Sequence, residues 1–254
     1  MSGQIHASHP HTGVVLLEID NPPVNALGCA IRERFEQELD CAQSDLSQRV
    51  IVITGRDNAF CAGDDLREAQ SRGDAASAGL GQFGRLLEKI EAHRVPVIAA
   101  VNGHAVGGGL ELALCADIRI ASENASFLAA GVNVGLIASV YRLPRLIGAG
   151  PASLMLLTGK PVKAARALDW GLVSEVNPRE ALMGAALELA QRIASRAPLS
   201  VEAAKRMIRR VPELTSQTWP HAAAEELRVL LKSNDHRIGV EAILARKEPV
   251  FTRS

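Results

Sequence analysis

The chain of 254 residues carries 28 Lys+Arg and 28 Asp+Glu, so its net charge is zero and nothing in that balance suits a nucleic acid or an anionic membrane. Apolar residues make up 47%, enough for a sizeable core, while the 3% aromatic content excludes base-stacking platforms and leaves that core to Ala, Leu, Val and Ile. Cys29, Cys41, Cys61 and Cys115 show neither C-x-x-C pairs nor zinc-type spacing, so free thiols are expected.

The start, from Met1 to His11, has no apolar run or Arg-rich amphipathic pattern and reads as a mobile polar tail, so a cytoplasmic protein is expected. His6, His9 and His11 fix no metal geometry there. Val14 to Ile19 reads as a strand, closed by Asn21-Pro22-Pro23, which no helix could cross. From Ala30 to Ser44, Ile31, Phe35, Leu39 and Ala42 recur at helical spacing. Val50 to Thr54 is apolar throughout, as a parallel strand covered on both faces should be. It runs into a turn-rich stretch from Gly55 to Leu66.

Ser71 to Gln82 has no packing period and is expected to form a surface flap that orders when ligand binds. A helix follows from about Phe83 to Ala92. Strand Val97 to Val101 feeds three consecutive glycines, Gly107 to Gly109, and the helix they open leads to strand Asp117 to Ala121. This alternation predicts α/β layering. Beyond Pro151 the pattern is mainly helical, and Val201, Ala204, Ile208 and Val211 form one apolar stripe, expected to be buried between subunits.

The glycine-to-helix transition is the first candidate for chemistry. The leading N–H groups of a helix lack internal partners and carry partial positive charge, which suits an anionic or polarised oxygen. Glu111 stands three positions after Gly108, one turn on, so a donor and a carboxylate face one spot. A helix-start role for Glu111, satisfying an orphan amide, explains the same spacing. From this stretch alone both readings stand.

Phe60-Cys61-Ala62-Gly63-Asp64-Asp65-Leu66 and Asn102-Gly103-His104-Ala105-Val106-Gly107-Gly108-Gly109-Leu110-Glu111 together resemble the crotonase (enoyl-CoA hydratase/isomerase) superfamily in order and spacing. Asn21 to Leu27, Ala116 to Ala121, Thr158-Gly159-Lys160, Ala167 to Val173 and Arg246 to Phe251 extend the match along nearly the whole chain. The resemblance implies a crotonase-like α/β spiral of β-β-α turns over 1–195 with the CoA-thioester site, then a helical region over 196–254 that builds a homotrimer or hexamer. The implied ligand is an acyl-CoA thioester, whose CoA belongs to the substrate, with no separate cofactor. By position, the N–H groups of Asp64 and Gly108 would form an oxyanion hole, with Ala62, Asp64, Asp65, Leu66 and Arg67 along the adenine and pantetheine path.

Hydratases of the family hold one water between two glutamates. Glu111 matches the first, and its apolar neighbours Leu110, Leu112, Ala113 and Leu114 are expected to make it a better base. Gly131 stands at the second, and the loop from Ile137 to Arg145 is shorter than the family's Pro-Gly-rich one. For Asp64 a side chain capping its own turn is preferred over a replacement acid or base. Cys61 and His104 read as packing residues, Tyr141 as a core residue and Arg142 as an interface residue, and Asp64-Asp65 lacks a third metal ligand. Two functions follow: an enzyme of the hydratase/isomerase type with Glu111 as acid/base, or an acyl-CoA-binding homologue that has lost the chemistry.

Overall fold

The computed structural model describes residues 3–71 and 76–254, whose strands fall into two sheets. Strand β1 (Gln4–His11) pairs antiparallel with β2 (Val14–Asp20), and α1 (Cys29–Ser44) follows. The polar start is therefore a strand and not a mobile tail. Its side chains give little sign of this, because β1 is an edge strand held by main-chain bonds to β2, with Ile5 as its one buried contact. Pro10 is tolerated for the same reason.

Three turns of the spiral then repeat one plan. In the first, β3 (Val50–Gly55) enters the first sheet, β4 (Ala59–Cys61) enters the second, and α2 (Leu66–Ser71) and α3 (Ala76–Glu91) follow. The second places β5 (Val97–Val101), β6 (His104–Val106) and α4 (Gly108–Cys115) alike, and the third begins with β7 (Ile118–Ser122) and β8 (Ser126–Leu128). Pairing is parallel within each stack, β3 on β5 on β7 and β4 on β6 on β8. The proposed flap is corrected where it is described: 76–82 form the first turns of α3, while 72–75 lie outside the described residues.

The third turn closes through a short 3₁₀ helix at Gly131–Val134, α5 (Arg142–Ile147), α6 (Ala149–Thr158), β9 (Val162–Lys163), α7 (Ala164–Asp169) and β10 (Glu175–Asn177). Four helices end the chain: α8 (Leu182–Ala194), α9 (Pro198–Arg210), α10 (Trp219–Leu230) and α11 (Asn234–Leu244).

The unbroken apolar runs of β3 and β5 make sense in this frame. Ile51, Ile53, Val97 and Ala99 face Phe35, Leu39, Leu86 and Ile90 of α1 and α3, whereas Val50, Val52, Ile98 and Ala100 face Leu182, Ala186 and Ala190 of α8. Each strand is covered on both faces. At roughly 1.5–3 kcal/mol for each large aliphatic side chain removed from water, these layers hold the spiral together.

Candidate active site

Because β4 and β6 are parallel neighbours, the loops leaving their C-terminal ends lie side by side. One carries Ala62-Gly63-Asp64 and the other Gly107-Gly108. The contact is so close that a Cβ on Gly63, whose φ is +86°, would lie 2.6 Å from the Gly108 nitrogen. Only glycine allows that approach. From the opposite side the Asn21 to Leu27 segment pins the first loop, since Leu27 N–H donates to the Gly63 carbonyl at 2.7 Å and Ala62 N–H to that of Val24 at 3.0 Å. Asn25, buried with φ +56°, donates from Nδ2 to the carbonyls of Arg56 and Ala59. The motif residues thus hold two main-chain segments in register.

Gly108 is the first residue of α4, so its N–H lies beyond the reach of any intrahelical carbonyl. Gly107, at φ +52°, bonds Leu128 through its own N–H and sets the angle at which α4 departs. One turn into the helix, Glu111 is 9% exposed, and its Oε2 lies 3.0 Å from Arg142 Nη1. Arg142 in turn holds Glu91 Oε2, at 2.7 Å through Nη2 and 3.3 Å through Nε. At the other end of α4 the buried Arg119 donates to the carbonyls of Ala116 and Leu172 and caps the helix with positive charge. Burial lowers its pKa to about 10, still above neutrality.

Residues 9–254 match the enoyl-CoA hydratase/isomerase family. The chain belongs to that family. It is 36% identical to 2,3-dehydroadipyl-CoA hydratase of Escherichia coli K12, over 94% of both chains, and 34% identical to carnitinyl-CoA dehydratase of Citrobacter koseri, over 99% of both. A crystal structure of an enoyl-CoA hydratase from Bacillus anthracis superposes with a TM-score of 0.96 at 31% identity, covering 98% of this chain and 99% of that one. The crotonase fold and an acyl-CoA enzyme family are thereby established.

Within this enoyl-CoA hydratase/isomerase chain the candidate residues separate. Gly108 and Asp64 come together through the two loops, with Glu111 one turn beyond. The Asp64 carboxylate does not cap its own turn: it pairs with Arg32 Nη2 at 3.1 Å, and Asp65 does the capping, accepting from Arg67 N–H at 2.9 Å. Arg32 is fully buried, donates to the Gly79 carbonyl and lies 5.6 Å over the Phe83 ring. Its sign in the sequence was its place beside Ile31 on the apolar face of α1. Ala62 is half-buried, Leu66 and Arg67 are exposed, and Glu68 reaches back to accept from Cys29 N–H at the start of α1.

Cys61 is buried, which pushes its thiol up to about 12, so it is no thiolate nucleophile. Two further expectations are corrected. His104 is exposed on β6 and bonded to Ser126, not packed in the interior. Tyr141 is exposed and stacked under Arg145 at 4.6 Å, not in the core. Arg142 pairs with Glu111 within the chain. Gly131 is buried under the shortened loop, and a Cβ there would meet Ala138 N and Leu136 O at 2.9 Å. Main chain therefore fills the space that a side chain at 131 would take. Ser139 makes the turn with φ +60°, a strained value for a residue with a side chain.

Among the described residues no cluster of His, Cys, Asp or Glu could hold a metal, and no helix is long and apolar enough to cross a membrane. A cavity of about 470 Å³ lies between α4, α5 and α9. Its lining includes Glu91 and Arg142 and the C-terminal end of α4 but not Glu111, Asp64 or Gly108, so it is separate from the loop pair.

Proposed function

We propose that the protein binds an acyl-CoA thioester with its carbonyl oxygen between the N–H groups of Asp64 and Gly108, and that Glu111 is the single acid/base acting on the resulting enolate. Two preorganised donors stabilise charge as it moves onto the thioester oxygen, and losing one such donor typically costs about 3 kcal/mol. The carrying observation is the packing of Gly63 on Gly108 with the buried Glu111 one turn beyond.

One carboxylate favours proton transfer over addition of water. From a 3-enoyl thioester, Glu111 takes a Cα proton, the C–H electrons pass into a dienolate held at the thioester oxygen, and the same proton returns at Cγ to give the 2-enoyl isomer. Syn addition of water is better served by two carboxylates, and Gly131, which matches the second by the family resemblance, has no room for a side chain. CoA leaves with the product and no separate cofactor is needed.

Steady-state assay of paired 2-enoyl and 3-enoyl thioesters is the test. Isomerisation is expected to exceed hydration, and Glu111→Gln is expected to lower turnover about 100-fold with little change in thioester affinity. Hydration at the higher rate would overturn the isomerase reading, and full activity of Glu111→Gln would remove its base. The closed space at Gly131 also favours a second reading, a non-catalytic acyl-CoA-binding homologue; tight thioester binding with no turnover would establish it.

A further inference from the structure

Arg142 touches both carboxylates nearest the start of α5 and cannot itself give up a proton at working pH. It therefore acts through Glu111 and not as an acid. Its three nitrogens are divided unequally: Nε and Nη2 share Glu91 Oε2, while Nη1 alone reaches Glu111 Oε2. The Glu91 contact comes from the last residue of α3 and fixes the guanidinium plane. The single contact then orients the Glu111 carboxylate while engaging only Oε2.

Resting on the proposed role of Glu111, we propose that Arg142, anchored by Glu91, is a positioning residue that holds the Glu111 carboxylate in one orientation, with Oε1 left for the substrate proton.

Around this pair, Glu91 comes from α3, Arg142 and Arg145 from α5 and Arg119 from β7, while Cys115 follows Glu111 by one turn of α4. Asp117 and, from α9, Lys205 and Arg209 line the same cavity as Glu91 and Arg142, with Lys205 held by Asp117 at 2.7 Å. Burial holds the Cys115 thiol up at about 12, so it stays neutral, and Arg119 is occupied by the carbonyls at the end of α4. Arg142 is thus the cation that pairs directly with Glu111.

Three variants test this: Arg142→Met, Arg142→Lys and Glu91→Gln, each compared with wild type by kcat and KM. Arg142→Met is expected to lower kcat at least tenfold and leave KM within about twofold. Arg142→Lys restores only part of kcat, since a point charge lacks the fork geometry. Glu91→Gln lowers kcat by a smaller factor in the same direction, and serves if Arg142→Met fails to fold. Wild-type kcat in a folded Arg142→Met or in Glu91→Gln, or a rise in KM that accounts for the whole loss, overturns the proposal. If Glu111→Gln abolishes turnover while these variants match wild type, only the positioning role fails; if Glu111→Gln stays active, the base assignment fails and the positioning role with it.

Discussion

The spiral and helix α9 bury opposite kinds of residue. In β3 and β5 the side chains on both faces are aliphatic and covered by α1, α3 and α8. Helix α9 does the reverse: apart from Pro198 and Ala203, the residues it buries are Glu202 and Lys205, 5% and 6% exposed, while Ile208 and Val211 of its apolar stripe are 71% and 63% exposed. Glu202 joins Arg94 at 2.8 Å to Arg253 at 3.0 Å, and Lys205 meets Asp117 at 2.7 Å and the Val95 carbonyl at 2.9 Å. The body is held by area removed from water, which has no direction. The appendage is held by a few directed ion pairs, which fix where α9 lies and leave its apolar stripe turned outward.

The strongest way to break this contrast is truncation after Pro198. It takes Glu202 from Arg94 and Lys205 from Asp117 and uncovers the part of the body that α9 covers, so the directed contacts joining the two regions are lost. Aggregated or poorly folded protein is expected by size-exclusion and thermal melting. A soluble monomer that melts like the full chain would mean the spiral owes nothing to α9.

A smaller effect lies at the joint between the two regions. His93 accepts from Val95 N–H at Nδ1 and donates from Nε2 to the Leu39 carbonyl, an arrangement that suits the neutral ring. Burial lowers its pKa to about 4, with Lys205 and Arg94 adding to the effect. Because the folded value lies below the ordinary 6.5, the unfolded chain binds the extra proton first. Stability is therefore complete above about pH 6.5 and declines as pH falls toward 4, by about 3 kcal/mol in all. Denaturant melts across that window should show the loss in wild type and a flatter curve in His93→Gln; identical slopes would exclude His93 as the cause.

The smallest effect on folding is expected from Ile208→Ser on the outward stripe, within about 0.5 kcal/mol for the single chain. Its consequence should appear in assembly. Sedimentation at matched concentrations is expected to show smaller species than wild type, because the stripe is the apolar surface that a second copy would cover. Equal distributions at every concentration would separate the stripe from any subunit contact.

Periodicity and turn chemistry made the main strands, the helices and the two glycine-bearing loops legible from the residues alone, because burial on both faces demands unbroken apolar runs and tight backbone approach demands glycine. Glu111 was legible by its spacing from Gly108. The folding of the first segment into β1, the α5 turn and the roles of Arg32 and Arg142 were not. Each depends on a partner far along the chain: β2 for the edge strand, Asp64 for Arg32, Glu91 and Glu111 for Arg142. Local pattern carries the energetics of burial, which is shared among many neighbours, but an ion pair is a matter of two particular atoms within about 3 Å. Likewise Gly131 in the sequence shows only that a carboxylate is absent, whereas the approach of Leu136 and Ala138 shows that the place itself is filled. That was decided by how the loop closes, since only the folded chain determines which main-chain atoms occupy a given space.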